Sequence, residues 1–360
     1  MDTPEPALAG PSAGRSILSW WAPRPVNGPL RFVLSLAIAL VGFGVVVALQ
    51  GENPITAYQD IVDTTLRTKY GLSEVFVRMI PLLLCALAVA IPARVGLVNV
   101  GGEGQLYIGA WAASWIALTF TSLDRVMMLP LMFVFAAAGG AAWAAVPAIL
   151  RARGWLNETI STLLLNYVGI LFVQYFVFGP WKDPLSANFP QSRAFPGGAI
   201  LPALGSYRIH IGLAFGLVAA AAMFAILRYT RWGYEIRAIG GNPEAAHRNG
   251  IHVSRYLVGM LLLGGAMAAL AGLGEVSAIQ GRLRPSVSPG YGFIGFLASW
   301  LGGHNPATIV MMTFILAVLT AGGDSLQINQ GLPFASVNLL MALTLFSVLA
   351  FRGGKPAVAA

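Results

Sequence analysis

The 360-residue chain is 57% hydrophobic and only 10% charged, where a soluble globular chain carries roughly 25%. Its mean hydropathy of +0.72, with 22 basic and 14 acidic residues, leaves too little polar surface for a water-soluble fold and excludes a soluble enzyme. A pI near 9.9 does not indicate nucleic acid, because the basic residues are scattered through loops without a dense stripe or interleaved aromatics. The single cysteine, Cys85, cannot close an internal disulfide and lies in an apolar run.

A membrane-crossing helix needs about 20 mostly apolar residues. The first such run, Phe32 to Leu49, is too long for the core of a signal peptide and is read as a retained span after a tail of residues 1–31. Further runs follow at Met79 to Ala93, Gln105 to Phe120, Val126 to Leu150, Thr159 to Phe178, Ile211 to Leu227 and Leu257 to Leu273. The Gly-rich segment Gly290 to Gly302 is short, and clearer runs close the series at Ala307 to Gly322 and Ala335 to Ala350. The expectation is an all-α polytopic membrane protein with about ten transmembrane helices, some short or discontinuous. Its membrane domain covers residues 32–350, and a tail of residues 351–360 follows.

Lys and Arg accumulate on the cytoplasmic side of membrane proteins. With the N-terminus inside, 13 of the 22 basic residues fall in inner segments: Arg15, Arg24, Arg31, Arg94, Arg151, Arg153, Arg228, Arg231, Arg237, Arg248, Arg255, Arg352 and Lys355. Both termini are therefore expected in the cytoplasm, an assignment that leans on the five arginines from Arg228 to Arg255.

Between the second and third runs lies a polar, glycine-rich connection, Arg94 to Gln105. Irregular backbone at membrane depth survives only where protein buries it or water reaches it. Asn99, Glu103 and Gln105 bring donors and acceptors to it. Glu103 either serves a functional site, pairs with Arg94, or caps the next helix; the sequence leaves these open. Ahead of Thr159, Asn157 is a candidate N-cap, and Glu158, Thr162 and Asn166 recur at i, i+4 and i+8 on one face. That stripe either lines a path or hydrogen-bonds a neighbour.

Gly264, Ala268 and Gly272, with Gly265, Ala269, Gly139, Gly140 and Ala144, have the small-residue spacing of close helix packing. Tyr107 to Trp115 faintly echoes Phe293 to Trp300, as repeated halves of a transporter would. The four histidines, His210, His247, His252 and His304, fit no metal-ligand pattern, and Gly353-Gly-Lys355 lacks the upstream glycine of a phosphate-binding loop.

Four ordered motifs then stand out: Gly96-Leu-Val-Asn-Val-Gly-Gly-Glu-Gly-Gln105, Asn157-Glu-Thr-Ile-Ser-Thr-Leu-Leu-Leu-Asn-Tyr167, Arg237-Ala-Ile-Gly-Gly-Asn-Pro-Glu-Ala-Ala246 with Gly250-Ile251, and Gly290-Tyr-Gly-Phe293 followed by Gly303-His-Asn-Pro306. From about residue 30 to residue 350 the chain resembles the ABC transporter permease family of branched-chain amino acid, simple sugar and nucleoside importers. It is most similar to nucleoside permeases that work with a basic-membrane-protein type lipoprotein. Sugar permeases such as the ribose one usually carry Asp-Leu-Ser where this chain has Asn99 to Glu103. Val98, Val100 and Gly102 stand where close relatives often have Phe, Ile and Ala.

The resemblance implies a multi-pass permease of a bacterial plasma membrane that imports a nucleoside-like solute by alternating access. A simple sugar, or proton-coupled transport through Glu103 or Glu158, are the alternatives. It implies three partners: a second homologous permease, an extracytoplasmic binding lipoprotein, and an ABC ATPase that uses ATP and Mg while this chain carries no cofactor. Asn99, Glu103, Gln105, Tyr107, Glu158, Thr162 and Asn166 are the expected substrate path, with Trp111 and Tyr167 as further aromatic candidates. The cytoplasmic loop 228–256 matches the segment the ATPase grips. Within it, Arg237, Asn242, Pro243, Glu244, Ala245, Ala246, Gly250 and Ile251 are the expected coupling residues. Pro243 and Glu244 suit a helix start and Gly250 its end.

Overall fold

The structure, a computed structural model, describes residues 28–351 except 188, 206 and 334. Arg15, Arg24, Arg352, Lys355 and most of the two expected tails lie outside the described residues. The described chain is helical: α1 Gly28–Leu49, α2 Pro54–Thr65, α3 Lys69–Ala93, α4 Gly102–Thr119, α5 Arg125–Ala152, α6 Glu158–Phe178, α7 Gly212–Tyr229, α8 Arg231–Gly241, α9 Pro243–Arg248, α10 Val253–Gly274, α11 Tyr291–Leu301, α12 Pro306–Gln330 and α13 Ala335–Phe351. Two isolated bridges are the only β-type pairing among the described residues.

Each of the ten apolar runs lies in a helix, and α2, α8 and α9 are helices without a run. Six helices are long and apolar enough to cross a membrane: α3, α5, α6, α7, α10 with its continuation to Gln280, and α12. A seventh arises if α1 and α2 count as one span bent by 114°. The bend follows from Asn53, whose side chain caps α2, and from Pro54 at its first turn. The short, Gly-rich stretch near residue 290 forms the 11-residue α11.

Helix α10 is the axis of the bundle, and its small residues explain why. A Cβ on Gly264 would lie 2.5 Å from the Ala88 carbonyl oxygen of α3, and one on Gly272 would lie 2.0 Å from that of Leu106 in α4. Gly140 of α5 and Gly265 each come within 2.4 Å of the other's carbonyl oxygen on the same construction. Larger side chains would separate these backbones, so the small-residue spacing is packing.

Beyond Gly274, α10 continues as a π-helical turn, Glu275–Gln280, ending at Gly281 in the left-handed region (φ +64). The segment after α6 folds over this end. Ser192 and Leu283 exchange hydrogen bonds, each at 2.9 Å, and the Phe195 amide donates to Gly281 at 2.9 Å. At the opposite, arginine-bearing end, α8 and α9 pack through a separate apolar cluster against Val95, Leu97, Ala148, Met260 and Leu261.

Candidate functional site

The polar connection is an extended strand of backbone laid along α6. Gly96 (φ +82) reverses the chain after α3. The Val98 amide donates to Glu158 Oε1 at 3.3 Å, and the Val100 amide donates to Thr162 Oγ1 at 3.2 Å. Asn166 donates from Nδ2 to the Val100 carbonyl and accepts the Gly104 amide at Oδ1, both at 2.8 Å. The match is geometric. Four helical residues advance about 6.0 Å and two extended residues about 6.6 Å, so Glu158 and Thr162 meet alternate amides of the loop, and Asn166 bridges Val100 to Gly104 where α4 begins. Arg151 Nε, 3.0 Å from Glu158 Oε2, neutralises the carboxylate.

The residues between these contacts turn the other way. Asn99 donates to the Ala88 carbonyl and shares hydrogen bonds with Gln105, at 3.1 Å each. Its Oδ1 also accepts the Gly101 amide at 3.0 Å. Tyr107 reaches the Val287–Ser288 backbone. All seven residues read as a path are buried, none more than 4% exposed, and the structure brings them together around this loop and the head of α11. Of the two aromatic candidates, Trp111 stacks on Trp115 and Trp181, whereas Tyr167 is exposed.

Glu103 joins two helix starts. It lies in the first turn of α4, and its Oε2 accepts the Gly292 amide of α11 at 2.7 Å, so both positive helix ends face one carboxylate. A Cβ on Gly292 would fall 2.2 Å from the Glu103 nitrogen, which makes glycine necessary there. Arg94 takes no part, because its guanidinium donates to the His304 carbonyl beyond the other end of α11. The two echoing segments are thus found on α4 and α11, helices whose N-termini abut.

The sequence reading missed a set of charges at the head of α11. Arg78 of α3 pairs with Asp324 of α12, and Glu275, buried at the end of α10, lies within electrostatic reach of Arg78 and Arg208. Arg208 in turn grips Glu74 through two bonds, 2.6 and 3.1 Å. Tyr291, the first residue of α11, is buried beside them. From there the open side of α11 carries Phe293, Phe296 and Trp300 at i, i+3 and i+7. Phe293 is exposed, Phe296 and Trp300 pack at 5.7 Å, and the buried indole N–H of Trp300 has no partner among the described residues. A cavity of about 170 Å³ between Val89, Leu97, Val98, Trp300 and His304 ends this stripe.

The third region is the arginine-bearing foot. Thr230 caps α8, Asn242 caps α9 at Ala245 (3.0 Å), and Pro243 occupies the first turn. Glu244 and Arg248 pair along the exposed side, and Gly250 (φ +81) turns the chain away. Tyr256 donates to Glu235 and, with Arg231, holds that carboxyl below its usual range. Of the residues expected to couple, Arg237, Asn242, Pro243, Glu244, Ala245 and Gly250 are exposed. Ala246 is buried, and Ile251 is half-buried against the same internal cluster. Among the described residues no three carboxylate, imidazole or thiol groups gather into a metal site.

The family model for the permease component of branched-chain amino acid transport systems matches residues 71–349, which include the pinned loop, α11 and the foot. The chain belongs to that family. It is a multi-pass membrane permease and is similar along most of its length to several ABC transporter permeases, three of which follow. The glucose ABC transporter permease protein of Haloferax volcanii is 38% identical, covering 88% of this chain and 86% of the relative. A nucleoside ABC transporter permease protein of Lactococcus lactis is 31% identical over 90% and 92%, and a guanosine ABC transporter permease protein of Bacillus subtilis is 28% identical over 88% and 91%. In each of these organisms a second permease named for the same solute also matches this permease, at 27 or 28% identity.

Proposed function

We propose that this permease is one membrane-spanning half of an ATP-driven importer that moves a nucleoside-like, small polar solute by alternating access. The observation that carries the solute class is the open side of α11. Phe293, Phe296 and Trp300 offer faces on which a flat ring can stack, and the buried Trp300 N–H, without a partner among the described residues, is a donor at the small cavity that ends the stripe. Arg78 is matched by Asp324 and Arg208 by Glu74, with Glu275 beside both, so the head of the stripe leaves no unmatched cation for an anionic solute and suits a neutral polar one. The seven buried polar residues, from Asn99 to Asn166, form the rigid wall of this path: they hold the loop and α11 in place. The 38% identity to a glucose permease favours a second reading, a hexose.

The partners follow from the family and from the paired permeases of the relatives. They are a second permease, an extracytoplasmic binding lipoprotein, and an ATPase that binds ATP and Mg and seats the exposed side of α8 and α9. The arginine-bearing foot then faces the cytoplasm, with both termini, in a bacterial plasma membrane. The test is uptake by the complete transporter in proteoliposomes supplied with labelled guanosine or glucose. ATP-dependent guanosine uptake is expected. Glucose uptake alone would move the solute to a hexose, and uptake by this chain alone under a pH gradient would overturn the ATP-driven reading.

A further inference from the structure

A cleft of about 610 Å³ opens between α7 and the wall made by α3 and α10, at the arginine-bearing end. Leu87, Ala222, Met223, Leu263 and Met267 line its depth, while Trp232, Arg255 and Tyr256 stand at its mouth. Along α10 the lining runs from Arg255 to Met267, about 18 Å at the helical rise. A hydrocarbon core is about 30 Å thick, so the cleft has about the depth of one leaflet. Trp and Tyr at its mouth are the residue types that mark the membrane interface.

The charge at the mouth is unbalanced. Arg231 and Arg248 are paired with Glu235 and Glu244, but Arg255 has no carboxylate partner among the described residues. Arg228, next to the lining residue Leu227, lies over the rings of Phe224 and Tyr229 and has no carboxylate partner among the described residues. An apolar helix would satisfy the walls and leave the arginines unmatched, and a free anion would do the reverse. An amphiphile with an anionic head satisfies both.

We propose that this cleft seats one anionic phospholipid of the leaflet at the arginine-bearing face, with an acyl chain along Gly259 to Met267 and its phosphate at Arg255. Trp232 and Ile236 belong to α8, so the lipid also touches the foot. Native mass spectrometry of the assembled transporter, delipidated and then offered phosphatidylglycerol and phosphatidylcholine, tests this. One phosphatidylglycerol per copy of this chain is expected, and Arg255→Gln should reduce its retention about fivefold, the effect of one interfacial arginine, while Arg255→Lys retains it. Gly259→Leu should lower retention of both lipids without strain, because a Cβ at Gly259 meets nothing within 4 Å. Equal retention of the two lipids by the unaltered transporter would overturn the proposal. So would unchanged phosphatidylglycerol retention in Gly259→Leu, or loss of subunit assembly in that variant, which would show a neighbouring subunit in the cleft.

Discussion

Gly240 of α8 presses on the backbone of Arg94 so closely that a Cβ at position 240 would lie 2.3 Å from the Arg94 carbonyl oxygen. Arg94 in turn donates to the His304 carbonyl, and Val95 and Leu97 share a buried cluster with Ile236, Ile239 and Ala246. The foot, the pinned loop and the far end of α11 are therefore mechanically continuous. Gly240→Ala should separate α8 from the loop at a cost of about 1–3 kcal/mol of overpacking. Uptake should fall severalfold. Gly241→Ala is the matched control, since a Cβ there meets nothing within 4 Å. Uptake and ATPase stimulation measured side by side check the pair; equal activity of the two variants would remove this contact from the coupling route.

Asn166 satisfies two backbone groups, the part-buried Val100 carbonyl and the buried Gly104 amide. Asn166→Leu leaves both without this partner, at about 1–3 kcal/mol for the buried Gly104 amide and less for the part-buried carbonyl. Thermal stability and protein level should drop along with uptake. Asn166→Asp keeps the acceptor for Gly104 and loses the donor to Val100, so it should fall between. A stable Leu variant defective only in uptake would instead indicate direct contact with solute.

Much of this arrangement is legible in the sequence, for identifiable reasons. Hydropathy marks ten helices because apolar runs fill them, although only six are long and apolar enough to cross a membrane, and the spacing of Glu158, Thr162 and Asn166 defines a common face whatever that face meets. What it meets is not local: the loop backbone 62 to 66 residues earlier engages Thr162 and Asn166. Arg78, Glu275 and Asp324 escaped notice because apolar windows end where charges begin, at Met79, Leu273 and Gly322, whereas the helices continue past them. The pairing of Arg78 with Asp324 joins positions 246 residues apart. Only the fold reveals it.

His210 closes the segment that covers the π-helical end of α10. Its Nδ1 accepts the Gly212 amide at 3.2 Å, and burial pushes its pKa down from 6.5 to about 4. A group whose folded pKa is depressed below its unfolded value binds more protons when unfolded. Its contribution is therefore complete above pH 6.5 and is lost as the pH falls toward 4, on the order of 3 kcal/mol in all. Hydrogen exchange of residues 201–212 should rise on going from pH 7 to pH 5 beyond the change in intrinsic rate. His210→Gln should flatten that dependence; an identical pH response in both proteins would exclude His210 as its source.

Trp300 tests the proposed stacking surface. Base stacking on an aromatic ring contributes about 1–3 kcal/mol, so Trp300→Ala should raise KM for a nucleoside roughly 5- to 150-fold. Trp300→Phe retains a ring but removes the unpartnered N–H, and should recover most of the lost affinity. The measurement is uptake kinetics at matched protein levels. Unchanged KM in the Ala variant would move the solute away from this face of α11.

Ala245 and Ala246 are adjacent residues of the same short helix with opposite surroundings: Ala245 is exposed, while Ala246 is 4% exposed and packs into the chain's own cluster with Val95, Leu97 and Ile239. The six-residue helix turns Ala246 inward, so its side chain packs within this chain and not on the exposed side of α9. Ala246→Asp buries a carboxylate without a partner at a cost of several kcal/mol, and α9 should detach from the membrane domain. Protease sensitivity of residues 240–252 should rise, and ATPase binding should fall as a consequence. Ala245→Asp leaves the internal packing intact and places its charge where a partner would sit. That variant should keep the protease resistance of the unaltered protein while ATPase co-purification and uptake drop together. If Ala245→Asp binds ATPase normally while Ala246→Asp does not, the foot supports the docking surface without contributing this side of α9, and the contact moves to the exposed residues of α8 such as Arg237.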